Sequence, residues 1–487
     1  MCSTPRVCWG GAEASFAAGQ GPVRSARIPR RRPVAWALAL LVMVPALLLA
    51  AGMPVSAAPQ VSRTLLPNGL TVLVRQRPGS GILAARLLVR AGAVDEADVP
   101  KGTAYLLAHL LLDERAHSQP RSLAFLQDQV GAGLRVQAQQ ELTDFAMVSM
   151  NESLSDSLDL LAAVVRDLRL PSDPVLRRVR MDAAGALDRE DDTFGTVRNR
   201  VEELLFPSDR GSPATSEQLK EVDGPALERF YKARYLAGNM VLTVVSGLPQ
   251  AQVLAAAQSA FKRIAQGGHL GIEAERAAKS RSPHPQDLVQ RQVPLAAVAV
   301  ALPTPGAADK DYATAAVLNV VLGGGKASRL FTALREQMGL GYELGSWSPP
   351  YVRNAYVMSY VFTSPTGRQP DGTVVSLWNV ARGRMVKEFD SLAEGKLTDA
   401  EVQRARRFLA GTYELRHQRA AEEAFLLGWW EALGLGYEQD RRFLQQVEAV
   451  TKEDVIRVAK ESYGGKVVTV VLPSRDSQPE LTAPGTQ

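Results

Sequence analysis

The sequence predicts an α+β fold made of two similar domains, each an antiparallel-rich mixed sheet packed with helices. Three observations carry this reading. The 487 residues are too many for one hydrophobic core and enough for two domains of roughly 200 residues. Period-two stretches alternate with helically spaced apolar stretches along the chain. One closing unit also occurs twice: Glu221-Val222-Asp223, Phe230-Tyr231 and a strand Val241 to Val245 recur as Ala449-Val450-Thr451, Val455 to Tyr463 and Val467 to Val471.

The first half opens on a hairpin. Val61 to Leu65 alternates, Pro67-Asn68-Gly69 is a turn signal, and Leu70 to Val74 resumes the strand. Ala84 to Arg90 reads as a third strand, and a helix follows with Thr103 as its expected N-cap. Leu134 to Met150 alternates as strand. Helices are expected at Leu154 to Leu168, ended by Pro171, then at 174–192, 196–205 and 224–235. The second half supplies a strand at 292–302, a helix at 310–322 stopped by Gly323-Gly324-Gly325, strands at 351–362, and long helices at 373–393 and 398–434.

These elements group into domains at 58–262 and 288–474. Residues 263–287 are polar and turn-rich, as a linker requires, and 475–487 form a polar tail expected to be disordered. Residues 1–57 have the parts of an export signal: Arg30-Arg31-Arg32, an apolar run from Val34 to Gly52, and small residues Val55-Ser56-Ala57 before Ala58. The apolar run is also long enough for an uncleaved membrane anchor. The expected location is therefore outside the cytoplasm, in the periplasm or cell envelope of a bacterium, with membrane attachment only if the leader is retained.

That leader also explains the basic composition. Its six arginines against Glu13 account for the whole net charge of +5, so the remainder is neutral. No general attraction to nucleic acid follows. Both cysteines, Cys2 and Cys8, lie in the leader, which excludes disulfides and thiol catalysis from the rest.

Chemistry is suggested first by Gly102-Thr-Ala-Tyr-Leu-Leu-Ala-His-Leu-Leu-Leu. Tyr105 and His109 are four apart and share one helix face. A metal-binding peptidase helix would carry His at both places and a carboxylate at 108. Here Tyr105 and Ala108 stand in those positions and only His109 is of ligand type. A catalytic zinc needs three protein ligands, so no metal site is expected in this chain. A rescued site would have to combine His109 with His117 and a carboxylate such as Asp113. His269, His284 and His417 show no ligand spacing.

Other motifs read as structural. The Gly323-Gly324-Gly325-Lys326 run follows a helix and lacks the spacing of a nucleotide loop, so it reads as a helix stop with close backbone approach. Trp429-Trp430 reads as core or domain-interface packing.

Taken in order, several strings resemble the insulinase/pitrilysin-type zinc metallopeptidases. They are Leu66-Pro-Asn-Gly-Leu70, the Gly102 to Leu112 helix, Tyr235-Leu-Ala-Gly-Asn-Met240, Gly323 to Phe331, and Leu334-Arg-Glu-Gln-Met-Gly-Leu-Gly-Tyr342. The resemblance spans roughly residues 61–473. It implies two similar domains folding over a closed chamber. In active members a His-x-x-Glu-His motif and a later Glu hold zinc, and the motif Glu is general base. That later Glu would fall at Gly185 or Ala186, where no carboxylate stands; Asp182, Asp188 and Glu190 are nearby but face differently. The segment Gly131 to Ala138 likewise keeps a glycine of the peptide-docking strand and loses its Asn-Ala.

The resemblance also implies a role for Arg335 and Tyr342, which match an Arg and a Tyr seven apart that the second half of the domain set bears in two-part members, facing the zinc across the chamber. The guanidinium would bind a substrate carbonyl and the phenol an oxyanion. Their bland alternative is an Arg335 paired with a surface carboxylate such as Glu336 and a Tyr342 packed at a strand start. The expectation is a zinc-free subunit that forms a heterodimer with a zinc-bearing partner to cleave peptides. The competing expectation is a non-catalytic scaffold or peptide-binding module of an envelope assembly.

Overall fold

The computed structural model describes residues 61–474, except 114–115, 117–122, 132, 167, 191–192, 207–213, 268–285, 353 and 369–370. The expected leader, most of the expected linker and the tail lie outside the described residues. Among the described residues, 61–474 with the exceptions given, no helix is long and apolar enough to cross a membrane.

The fold is α+β, as the sequence predicts. The first sheet has six strands in the order β1 (Val61–Leu65), β2 (Thr71–Gln76), β6 (Met240–Ser246), β3 (Ile82–Val89), β5 (Thr143–Met150) and β4 (Leu134–Ala138). The second has five, β7 (Gln286–Arg291), β13 (Val467–Pro473), β8 (Ala296–Pro303), β10 (Tyr356–Thr363) and β9 (Glu343–Trp347). β2 and β6 run parallel and the other pairs of the first sheet antiparallel; β7 and β13 run parallel and the rest of the second sheet antiparallel. Apart from the extra edge strand β1, the two sheets thus share one topology, and the repeated closing unit supplies the corresponding strand, β6 or β13, to each.

Several expected elements divide or shift. Leu134 to Met150 is a hairpin, because the chain reverses at 139–142, where the Gln139 N–H donates to the Leu142 carbonyl at 2.8 Å. The long helix expected at 398–434 is two, α10 (Asp399–His417) and α11 (Ala420–Ala432). Strand β7 starts at Gln286, inside the span expected to be linker.

One face of the first sheet packs on α1 (Thr103–Leu111), α3 (Leu154–Arg166) and α7 (Gln250–Phe261) through Leu83, Leu87, Phe145, Leu106, Leu161 and Val253, all under 1 % exposed. The opposite face is covered by a helix from the other half. On α11, Ala424 packs with Ala84 and Val245, and Trp430 joins a cluster containing Leu73, Leu88 and Val241. The exchange is mutual: α5 (Thr193–Leu205) lays Val197, Val201 and Leu205 on Ala297, Ala299 and Ala301 of β8. The alternation of β8 explains the fit. Small Ala297, Ala299 and Ala301 admit the helix backbone, while Val298, Val300 and Leu302 fill the core on the other face. Each sheet therefore buries one apolar face only by borrowing a helix from the other half.

Basic residues tie α11 in place. Arg63 and Arg75 reach Glu431 and Glu423 at 2.8 and 3.0 Å, and Arg90 donates to the Ala432 and Glu431 carbonyls. The expected Trp429-Trp430 packing is present, both rings being under 5 % exposed.

Candidate functional site

The degenerate zinc helix, α1, is capped one residue earlier than expected. Gly102 occupies the N-cap at φ 93°, a backbone conformation natural to glycine, and Thr103 is the first helical residue. Its hydroxyl donates to the Pro100 carbonyl at 2.5 Å instead of capping. The cap comes from a distance: the Glu96 carboxylate accepts from the Gly102 and Ala104 N–H groups at 2.9 and 2.7 Å. Burial pushes Glu96 up to about 7, against those two bonds and nearby Lys101. Sequence reasoning missed Glu96 because it precedes the helix by more than one turn.

On the face expected to hold metal, the Tyr105 and His109 rings lie 4.6 Å apart at 53°. Tyr105 packs against the hydrophobic core, Ala108 is buried, and burial lowers the pKa of His109. A phenol ring thus fills the space beside the one imidazole. Gly185 and Ala186, on α4 (Asp173–Glu190), bring no ligand atom. Asp182 is turned to solvent, 70 % exposed, 4.0 Å from Arg178. The side chains of Asp188 and Glu190, and all of His117, His269 and His284, lie outside the described residues. Among the described residues no three His, Cys, Asp or Glu side chains converge on a metal position. The residues of this helix do not fit a zinc ion.

Arg335 and Tyr342 lie in the other half and are brought together. Gly323 ends α8 (Tyr312–Gly323); a Cβ there would lie 2.4 Å from the Ser346 nitrogen, so the helix end abuts β9 and only glycine fits. The chain then enters a π-helical turn, Phe331–Glu336, that carries Arg335. Arg335 Nη2 donates to the Tyr342 backbone carbonyl at 2.9 Å, and the Tyr342 N–H donates to Phe362 of β10 at 2.8 Å. The Tyr342 phenol lies 3.2 Å from Ser364 Oγ, and its side chain is 67 % exposed. Neither bland expectation describes the pair. Among the described residues Arg335 forms no ion pair with Glu336, and Tyr342 projects into solvent just before β9. Ser364 was not legible as a partner, since only the β9–β10 pairing brings it near.

A similar clasp closes the corresponding turn of the first half. Gln127, on α2 (Leu123–Val130), accepts through Oε1 from the Leu134 N–H seven residues on, at 3.1 Å.

Two family profiles match the chain. "Insulinase (Peptidase family M16)" matches residues 71–191 and "Peptidase M16 inactive domain" matches residues 222–409, together more than half of the sequence. An uncharacterized zinc protease of Mycobacterium leprae is 26 % identical over 423 residues, covering 85 % of this chain and 91 % of that protein. Among solved structures, a protease from Helicobacter pylori superposes with a TM-score of 0.75 at 17 % identity, over 85 % of this chain and all of that one. A structure described as a peptidase M16 inactive domain, from Pseudomonas fluorescens, gives 0.70 at 20 % identity, over 86 % of this chain and 99 % of that one. These structural likenesses bear on the fold. The word "inactive" attaches to the profile of the second half; the loss of zinc ligands in the first half is read from Tyr105, Ala108 and the residues at 185–186.

Proposed function

The chain belongs to the insulinase family of peptidases, M16, and on that premise we propose that it is a zinc-free subunit working with a zinc-bearing relative to cleave peptides. The partner supplies the metal and the general base. This chain supplies half of the chamber and the Arg335–Tyr342 pair, whose donors bind the substrate carbonyl and the oxyanion formed from it. The observation that carries the reading is the split between halves. Ligand positions on α1 are filled by Tyr105 and Ala108, while Arg335 and Tyr342 leave a single turn with the phenol open to solvent. The leader of residues 1–57 supports assembly outside the cytoplasm, in the periplasm or envelope of a bacterium.

The repeated clasp favours a second reading. Because Gln127 closes the corresponding turn without any catalytic partner, the Arg335 bond also suits a purely structural role in a scaffold or peptide-binding module.

Co-expression and co-purification with a zinc-bearing member of the family from the same organism, sought by its intact zinc motif, separates the two. The subunit reading expects a stable complex whose peptide cleavage falls sharply with Arg335→Ala. A complex whose cleavage is indifferent to that change supports the scaffold reading, and failure to form any complex overturns the first proposal.

A further inference from the structure

The helix exchange depends on a knee between α10 and α11, and a chain of hydrogen bonds crosses it. The Trp430 indole N–H on α11 donates to the Tyr413 hydroxyl on α10 at 2.9 Å. That hydroxyl donates to Asp440 Oδ1, on α12 (Gln439–Ala449), at 2.7 Å. The other Asp440 oxygen lies 2.9 Å from His417 Nε2, and His417 Nδ1 lies 3.0 Å from the Tyr413 carbonyl. His417 is the last residue of α10, at the knee itself.

Both ring nitrogens of His417 face atoms that only accept. A neutral imidazole has one N–H, so it can satisfy one of these contacts; the imidazolium satisfies both. The geometry therefore selects the protonated form. We propose that His417, Asp440, Tyr413 and Trp430 form a proton-dependent latch that holds α11 on the first sheet and loosens when His417 loses its proton.

The surroundings agree with this role. Burial opposes the charge on His417, yet the bonds and charge of Asp440, then the Tyr413 carbonyl and Glu414 on its own helix, hold its pKa above the ordinary value of 6.5. From just beyond the end of β2, Arg77 donates to the carbonyls of His417 and Gln418, so it grips the backbone of the knee and leaves the ring to Asp440. Across the knee Arg416 pairs with Glu422 at 3.0 Å. Trp430 is 1 % exposed and Tyr413 2 %, so a disturbance at His417 passes directly into packed side chains. The sign follows from linkage. A histidine whose folded pKa is raised stabilises fully below 6.5, and that contribution is lost as pH rises through the folded value.

The test is histidine imidazole NMR of the full chain, which has five histidines, joined to hydrogen exchange across the same pH range. His417 should titrate above 6.5 and move down towards it in Asp440→Asn. Protection of residues 420–432, corrected for intrinsic rates, should fall several-fold across that titration, while residues 312–323 keep theirs. An ordinary His417 titration in the unaltered protein overturns the proposal. A raised titration with constant protection of 420–432 overturns the latch as well. Both readouts come from the native sequence, so a variant that fails to fold leaves the test intact.

Discussion

Arg335 Nη2 donates to the backbone carbonyl of Tyr342 at 2.9 Å, so a guanidinium and a phenol leave one turn as a unit. The π-helical turn sets this geometry by carrying Arg335 to the mouth of the hairpin that Tyr342 enters. Tyr342→Phe removes only the hydroxyl that meets Ser364. Being exposed, the change should leave unfolding stability within about 0.5 kcal/mol. Under the subunit reading it should lower kcat of the complex by roughly 10²–10³-fold, as expected for loss of an oxyanion donor. Steady-state kinetics of the complex, beside denaturant unfolding of the subunit, measures both.

Restoring one histidine should not restore zinc. Tyr105→His gives two imidazoles four apart on α1, yet the third ligand is still missing at Gly185 and Ala186. Elemental analysis should find no stoichiometric zinc in that variant. Stoichiometric zinc in Tyr105→His alone would show that another carboxylate reaches the helix and would reverse the account of the site.

At Gly428, α11 lies close against the first sheet. A Cβ there would stand 2.6 Å from Thr243 Oγ1 and 3.3 Å from Leu88 Cδ1, in a fully buried contact. Gly428→Ala should therefore destabilise by about 1–3 kcal/mol despite the better helix propensity of alanine. Gly411 on α10 has nothing within 4 Å of the same atom and serves as the control, with Gly411→Ala neutral or stabilising. Paired denaturant melts decide the comparison.

Glu96 makes stability fall with pH. Its pKa is raised by burial from 4.5 to about 7, so between those values the folded chain binds more protons than the unfolded one. Stability is then lost as pH rises across that window, by about 3 kcal/mol at most. Glu96→Gln fixes the neutral form and should flatten this part of the profile. His417 acts in the same direction from 6.5 upward, and the buried carboxyls of Asp144 and Glu202, also raised by burial, act in the same direction below it, so the share of Glu96 is the difference between the two proteins. Unfolding free energy of both proteins from pH 4.5 to 7 gives the difference.

Much of this fold was legible because its elements are locally specified. The Pro67-Asn68-Gly69 turn, the alternation of β8 and the glycine stop after α8 each depend on residues close in sequence. The break at His417 was not legible, since the apolar spacing of 398–434 continues through it and the knee is held by Arg77, far away in the chain. The cap of α1 was misread for a related reason. Thr103 is a good capping residue by type, but its hydroxyl turns back to the Pro100 carbonyl and the distant Glu96 takes the Gly102 and Ala104 N–H groups.

The sequence alone determined the family resemblance, the repeated α+β unit and the misfit of α1 to zinc, because each is written in residue identity and short spacing. Tertiary structure decided which helix covers which sheet, that Arg335 bonds the Tyr342 carbonyl while the Tyr342 phenol meets Ser364, and that His417 meets Asp440 at the knee. An amphipathic helix such as α5 or α11 records that it must bury one face and says nothing of where. Only the pairing of two incomplete sheets, each with an apolar face its own half cannot cover, fixes that choice.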